Sequence, residues 1–283
     1  MLKKIFLLFK IGRKLSTSGA ISSIYEIYNP PFAIKLFFFV IGFSLTNKKG
    51  NSSLSAGERL CKALQEMGTT FIKLGQFLAT RPDIIGEDIS KELEKLQDKL
   101  PAFDLTQAKN ILKEEIGDES FKQISNISEP VAAASIAQVH FANINLNNNT
   151  KSVAIKILRP SIEKVFNEEL DAIMLLAYIT QGLIKKTKRL KLVEVVQLLR
   201  EITNIEMDLR FEAAAANELY ENTKNDIGFN VPKIYWNQTS KKVLCLDKVE
   251  GTSIRNIEIL KSWNIDLKEI TKNIIQNFLK HKV

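Results

Sequence analysis

Apolar residues recur every three or four positions along much of the chain, which is the spacing typical of amphipathic helices. In the first half of the chain this spacing predicts helices at 55–80, 87–99 and 104–116. Pro82 and Pro101 are expected to separate these helices, because proline cannot continue a helix interior. Asp104 directly precedes the third helix and is predicted to be its N-cap.

From residue 130 the pattern changes to runs of β-branched residues, which are typical of strands. Two such runs, 135–144 and 152–158, are joined by the turn-like sequence NLNNNTK at 145–151. Further elements are expected at 161–186 (helix), 191–223 (helix), 231–237 (strand), 242–249 (strand) and 266–280 (helix). The chain is therefore predicted to be an α+β protein in which helices precede a small mixed lobe.

Two short apolar runs lie near the N-terminus, one within residues 1–14 and the other at 36–45. Neither reaches the length of about 20 residues that a membrane-spanning helix needs, and no small-residue cleavage site marks a secretory signal. Because basic residues surround both runs, they are suited to an anionic membrane surface. The alternative is a packed N-terminal helix pair. A polar linker is predicted at 46–53.

The net charge of +8 favours an anionic partner, such as a phosphoryl ligand or an acidic membrane surface. Nucleic acid is not expected as a partner, since the basic residues form no recognisable nucleic-acid-binding motif. The two cysteines, Cys61 and Cys245, and the two histidines, His140 and His281, have no metal-ligand spacing. We therefore predict no metal site, and a reducing, cytoplasmic location.

Residues 130–158 carry the clearest candidate chemistry. The pattern is a strand, a tight loop of small residues, a returning strand, a turn and a third strand that bears Lys156. Small residues let backbone N–H groups approach a polyphosphate, and a lysine on the next strand can reach the same phosphates, as in a protein-kinase nucleotide lobe. The candidate nucleotide-binding residues are Val131, Ala132, Ala133, Ala134, Ser135, Ile136, Ala137, Gln138, Val139 and Lys156.

A kinase-type lysine needs a carboxylate partner from a neighbouring helix. The segment 204–219 offers three, Glu206, Asp208 and Glu212. If the helix is continuous, Asp208 and Glu212 share one face, and two like charges there require a cation between them. Glu206 has the alternative of pairing with Arg210 four residues later, as an ordinary surface ion pair.

Lys73 and Gln76 stand within an otherwise apolar helical run in the segment FIKLGQFLATRPDII, residues 71–85. Three residues apart, they lie on one edge of the helix. From this segment alone, Lys73 is most simply a lysine at the rim of a core helix that extends its charged end to water.

Four segments, FIKLGQ, VAAASIAQVH, VAIKILRP and EMDLRFEAAAAN, resemble in order the signature motifs of the UbiB family of atypical protein-kinase-like proteins. The resemblance runs from about residue 55 to the end, and LDKVEGTSI resembles the family's hinge. It implies a kinase-like lobe that binds ATP or ADP with Mg²⁺. It also implies a link to ubiquinone biosynthesis through quinone-biosynthesis proteins or a membrane surface, with the protein peripheral at the inner face of the membrane.

The resemblance also assigns roles to the polar residues. The implied contacts are those of Lys73 and Gln76 with Glu206 and Asp208, and of Lys156 with Glu212. In the family, the helix that carries the lysine and glutamine packs across the place where a peptide substrate would bind. Lys73 is therefore expected to be a regulatory residue and not a rim lysine.

The sequence departs from the family pattern near its end. The metal-binding loop H-x-D-x-H-P-G-N and the D-F-G motif do not occur, and Asp266 is the single aspartate after Gly251. The chain is thus expected to contain no catalytic residue and no metal ligand. It would be a remnant, the N-terminal half of a split gene with a separately encoded C-terminal half, or a standalone module. An exposed apolar face on the last helix favours the first two.

The predicted domains are 1–50 (N-terminal helical segment), 51–128 (helical extension), 129–255 (kinase-like nucleotide-binding lobe) and 256–283 (start of a truncated second lobe). The leading hypothesis is a UbiB-type kinase-like protein without independent catalysis. The alternative is a non-catalytic helical scaffold that binds a membrane or a protein complex.

Overall fold

A computed structural model describes residues 2–17, 54–96, 100–146, 149–183, 185–226 and 228–281. The apolar run 36–45 and the predicted linker 46–53 lie outside these residues. The first helix packs through Leu8 and Ile11, which are buried in the protein core. The second member of the predicted helix pair lies outside the described residues, so the choice between a membrane surface and a packed helix pair stays open. None of the helices within the described ranges combines the length and the apolar character required to cross a bilayer.

The structure contains helices, two short 3₁₀ turns and one sheet. In chain order the elements are α1 (Leu2–Thr17), α2 (Ala56–Met67), α3 (Thr69–Ala79), α4 (Pro82–Ile85), α5 (Glu87–Leu93), α6 (Leu105–Lys122), β1 (Ile124–Ser125), β2 (Pro130–Ala133), β3 (Ala137–Leu146), β4 (Asn149–Leu158), α7 (Ile162–Leu183), a 3₁₀ turn (Lys185–Leu190), α8 (Leu192–Glu206), α9 (Leu209–Thr223), a second 3₁₀ turn (Trp236–Gln238), β5 (Val243–Asp247), α10 (Ile257–Ser262) and α11 (Leu267–His281). The observed mixture of helices and antiparallel strands confirms the predicted α+β class.

These elements form two compact units. Unit 1 comprises Met1–Phe103, Ala133–Gln138 and Leu158–Met207, and unit 2 comprises Asp104–Ala132, Val139–Ile157 and Asp208–Val283. The domain boundaries expected from the sequence, after residues 50, 128 and 255, stay a prediction.

In unit 1 the helix predicted at 55–80 is two helices, because Gly68 has a φ of 102°, a value that ordinary residues rarely adopt. Ser55 and Glu58 form a capping box that begins α2. Pro82 does not end the preceding helix, which stops at Ala79. It takes the first turn of α4 instead, where its missing N–H costs nothing.

Gly75 lies where two core side chains of unit 1 leave no room for a Cβ atom. A Cβ atom at this position would lie 2.3 Å from Leu96 Cδ1 and 2.9 Å from Leu64 Cδ1. Both leucines belong to the buried cluster of this unit, so the glycine lets α3 approach its neighbours. The helix predicted at 87–99 ends at Leu93, and residues 97–99 lie outside the described part.

In unit 2, α6 begins where the sequence predicted. The Asp104 carboxylate accepts hydrogen bonds from the N–H groups of Thr106 and Gln107, at 2.8 and 3.2 Å. The helical segment runs to Lys122, beyond the predicted end at 116, with a break in helical geometry at Gly117. The helices predicted at 161–186 and 266–280 are confirmed to within three residues at each end.

The sheet has the strand order β1-β3-β4-β5, and β2 pairs with β3. Lys156 on β4 stands opposite Leu244 on the antiparallel β5. The strand expected at 231–237 is wrong. Only Ile234 makes an isolated bridge, to Leu246, and the following residues turn into the 3₁₀ segment. Pro232 lacks the N–H group that a ladder requires, which is consistent with this outcome.

Candidate functional site

The candidate site in unit 2 centres on Lys156. Alternate residues of β4, Val153, Ile155 and Ile157, are buried, and Lys156 projects from the opposite face. Its ammonium group lies 2.7 and 3.0 Å from the two carboxylate oxygens of Glu212 on α9. The lysine side chain is 28% exposed and the glutamate 49%. The predicted contact between Lys156 and Glu212 is therefore present. It keeps the lysine ammonium group at a partly exposed position.

Asp208 does not lie within a continuous helix, although the sequence predicted one. The helix predicted at 191–223 divides, α8 ending at Glu206 and α9 beginning at Leu209. Asp208 is the N-cap of α9, with an extended backbone (φ −119°, ψ 95°), and its carboxylate accepts the N–H of Arg210. It therefore does not share a helical face with Glu212, because an aspartate that caps a helix interrupts the preceding one.

Arg210 forms an ion pair with Asp208 and not with Glu206. Its guanidinium group donates two hydrogen bonds to the Asp208 carboxylate, at 2.9 and 2.6 Å. These bonds hold the pKa of Asp208 below its ordinary value. The surface ion pair between Glu206 and Arg210, considered above as an alternative, is therefore not the one formed.

In unit 1, Lys73 Nζ lies 2.8 Å from Glu206 Oε2. Lys73 comes from α3 and Glu206 from the last position of α8. The lysine side chain is 15% exposed and the glutamate 37%, so the pair is partly withdrawn from water. The predicted approach of these two residues, 133 positions apart in sequence, is present. Its regulatory role stays a prediction.

Gln76 is half-buried three residues further along α3. Within the described part of the chain, its amide donates no hydrogen bond to Glu206. Gln76 lies about 4.5 Å further along the helix axis than Lys73, on the same edge of α3. The expectation that Gln76 contacts the same carboxylate is therefore wrong.

We expect the Lys73–Glu206 pair to stabilise unit 1 measurably. A double-mutant cycle with Lys73→Met and Glu206→Gln should give a coupling energy of about 1–2 kcal/mol in the free energy of unfolding, because the pair is partly desolvated. The same cycle on the more exposed pair of Arg81 and Asp83 should give about 0–0.5 kcal/mol. Equal coupling in the two cycles would contradict this expectation.

The alanine-rich loop, Ala133–Gln138, belongs to unit 1. It turns tightly, with the Ala134 N–H donating to the Ala137 carbonyl at 2.8 Å. Of the candidate residues, Val131 and Ala132 are exposed, Ala133, Ala134 and Val139 are intermediate, and Ser135, Ile136, Ala137 and Gln138 are buried.

The side chain of Gln138 connects the loop to the backbone of Phe103. Its side-chain amide accepts from the Phe103 N–H at 2.9 Å and donates to the Phe103 carbonyl at 3.2 Å. Sequence reasoning also missed Thr69 and Arg159, whose side chains bind loop carbonyl groups. Arg159 stands in the quoted segment VAIKILRP, but no sequence pattern indicates which backbone atoms it contacts.

A family model described as the ABC1 atypical kinase-like domain matches residues 95–283. The chain is 34% identical over 251 residues to the "Probable protein kinase UbiB" of Marinobacter nauticus, an alignment that covers 88% of this chain and 44% of that protein. Proteins of the same name from Azotobacter vinelandii and Glaesserella parasuis are 35% and 37% identical, over 78% of this chain and 41% of their own lengths. The chain thus spans less than half the length of these curated relatives.

Proposed function

This chain belongs to the ABC1 atypical kinase-like family, and from that premise we propose that it binds an adenine nucleotide, ATP or ADP. The residues proposed to bind the nucleotide are 131–139 and Lys156, with Glu212 positioning the lysine. The chain would be the nucleotide-binding part of a UbiB-type kinase-like protein or ATPase. The observation that carries the proposal is the ion pair between Lys156 and Glu212, at 2.7 Å.

The ion pair supports nucleotide binding for a physical reason. A lysine held by a carboxylate keeps its ammonium group at a fixed place, so less side-chain entropy is lost when a phosphate binds. Because Lys156 is partly exposed, the same ammonium group can still reach an anion. The net charge of +8 would further attract a polyphosphate.

Mg²⁺ would accompany the nucleotide, as the family resemblance implies. Among the described residues, no group of three or more histidine, cysteine, aspartate or glutamate side chains is placed to hold a metal ion. Asp208, one of the carboxylates of the candidate set, is bound by Arg210. We therefore assign no step to a metal, and the proposed binding depends on the lysine and on backbone N–H groups.

Thermal stability tests the proposal. We expect ATP or ADP, at about a hundred times its dissociation constant, to raise the melting temperature by about 2–5 °C, since that concentration stabilises the folded state by about 2.7 kcal/mol. Adenosine and inorganic phosphate, added separately, are the controls for the two halves of the ligand. No shift with either nucleotide would favour the non-catalytic scaffold instead.

We propose a regulatory role for Lys73, Gln76, Glu206 and Asp208, supported by the Lys73–Glu206 ion pair. Removing Lys73 should lower the stability of unit 1 but remove no phosphate contact. The Lys73→Met variant is thus expected to bind ATP at least as tightly as the wild-type chain. Weaker binding would indicate that Lys73 belongs to the nucleotide site and not to its regulation.

We propose a role in ubiquinone biosynthesis, in the cytoplasm at the inner face of the membrane. A polypeptide that resembles the remaining part of the relatives is the partner we propose for unit 2. The support is the exposed apolar side chains at the end of α10 and on α11, where Trp263, Ile274 and Phe278 are 54%, 45% and 58% exposed. Phe278→Asp should reduce co-purification with that part of the Azotobacter vinelandii relative, and an undiminished yield would contradict the proposed partner.

A further inference from the structure

We propose that Arg159 is a positioning residue that fixes the backbone of the alanine-rich loop, so that N–H groups of the loop can bind a phosphoryl group. The inference rests on the proposed function, which it extends from the loop to the residues that hold it. All contacts used for it lie within unit 1.

The guanidinium group of Arg159 connects two backbone segments. Its Nε and Nη2 atoms donate to the Ala134 carbonyl at 3.1 and 2.8 Å, and Nη1 donates to the Pro101 carbonyl at 2.9 Å. The group also lies over the ring of Phe103, 5.9 Å from its centroid. This planar fork of donors is available to arginine and not to lysine.

The next three carbonyl groups of the loop are bound as well. The Ser135 carbonyl accepts the Thr69 hydroxyl at 3.1 Å, the Ile136 carbonyl accepts the backbone N–H of Arg159 at 2.8 Å, and the Ala137 carbonyl accepts the N–H of Ala134 at 2.8 Å. Four consecutive carbonyl oxygens, 134 to 137, are therefore engaged within the protein, and none of them needs another donor to be satisfied.

Two backbone N–H groups of the same turn are in the opposite condition, those of Ser135 and Ile136. Ser135 and Ile136 are buried, and among the described residues nothing accepts a hydrogen bond from either backbone N–H group. The Ser135 hydroxyl is also buried without a hydrogen-bond partner in that part of the chain. Buried N–H groups without an acceptor are rare in proteins, so we assign these two N–H groups and the hydroxyl to an acceptor that the described residues do not supply.

The bound carbonyl groups and the donors without an acceptor together favour an anion at this turn. A turn whose carbonyl oxygens all point into protein contacts leaves its N–H groups as the polar face, and successive N–H groups form a site for an anion. The positive charge of Arg159 beside the turn favours an anion further. The ligand class is a di- or triphosphate, and Arg159 acts on it through the loop backbone.

The experiment compares the binding of ATP, inorganic triphosphate and adenosine to the full 283-residue chain. Arg159→Ala should weaken the binding of ATP and triphosphate about tenfold, since the loop loses its guanidinium hydrogen bonds, and leave that of adenosine unchanged. Arg159→Lys should recover only part of this loss. Arg81→Ala, which removes an arginine from the same unit, is the matched control and should bind all three ligands as the wild type does.

If Arg159→Ala does not fold, Thr69→Val is tested instead. This substitution removes only the hydrogen bond from the Thr69 hydroxyl to the Ser135 carbonyl. An equal loss for adenosine and for triphosphate would show a general structural role and overturn the inference. If the wild-type chain binds ATP and Arg159→Ala binds it equally well, the role of Arg159 is overturned. The proposed nucleotide-binding function then still stands. No ATP binding by the wild-type chain would overturn both.

Discussion

The Lys156→Ala variant is expected to bind ATP about 10- to 100-fold more weakly than the wild-type chain, because a hydrogen bond to a charged group contributes about 1.5–3 kcal/mol. The variant removes the ammonium group that Glu212 holds at 2.7 Å. Titration with a fluorescent ATP analogue would measure the loss. The surrounding sheet should persist, since Lys156 is on the partly exposed face of β4.

The matched control is Lys151→Ala, which removes an exposed lysine from the same strand. Both variants remove one positive charge. Comparing them therefore separates the general electrostatic attraction of ATP from a specific contact with Lys156. Similar losses in the two variants would indicate that nucleotide affinity comes from overall charge. Unchanged affinity in Lys156→Ala would show that the proposed phosphate contact is wrong.

The second expected result is that the 283-residue chain, assayed alone with Mg²⁺ and ATP, releases no more phosphate than its Lys156→Ala variant. Phosphoryl transfer requires electrostatic stabilisation of the charge on the equatorial oxygens, and the loss of one such donor commonly lowers the rate about 10²–10³-fold. After Gly251 the chain has a single aspartate, and Asp266 caps α11 by accepting the N–H of Lys268 at 2.8 Å.

The same assay is then repeated with the part of the Azotobacter vinelandii relative that this chain does not match, added as a separate polypeptide. If it contacts the exposed apolar side chains at the end of α10 and on α11, phosphate release should rise in the mixture and fall again with Phe278→Asp. Release by the 283-residue chain alone, above the Lys156→Ala level, would show that residues within this chain perform the chemistry.

The elements that the sequence predicted well are those fixed by local periodicity. Alternating burial on β4 placed Lys156 on the face opposite Val153 and Ile155, and this outcome follows from the two-residue period of a strand. The N-cap at Asp104 follows equally from local chemistry, because its carboxylate binds N–H groups only two and three residues away.

The same local chemistry was overlooked at Asp208. The apolar spacing of its segment predicts a continuous helix with Asp208 on the helix face. The side chain instead accepts the N–H of Arg210 and starts a new helix. An aspartate followed by a helical run is a known start signal, so this break could have been predicted. The break at Gly68 has a different cause, a positive φ that glycine tolerates.

The contacts of Arg159 could not have been predicted from the sequence. The Ala134 and Pro101 carbonyls that it binds are 25 and 58 residues away, and backbone carbonyl groups carry no residue-specific signal. The ion pair of Lys73 with Glu206 was anticipated only through the family resemblance. Periodicity alone made Lys73 a rim lysine, because a helix pattern indicates which face is buried but not which distant residue lies against it.

A crystal structure of this chain with ATP tests the central claim most directly, since it shows where the nucleotide binds and which groups contact its phosphates. We predict phosphate oxygens within hydrogen-bonding distance of Lys156 Nζ, with the Lys156–Glu212 contact retained. A nucleotide bound elsewhere, or phosphates that contact neither Lys156 nor the alanine-rich loop, would contradict the proposed site.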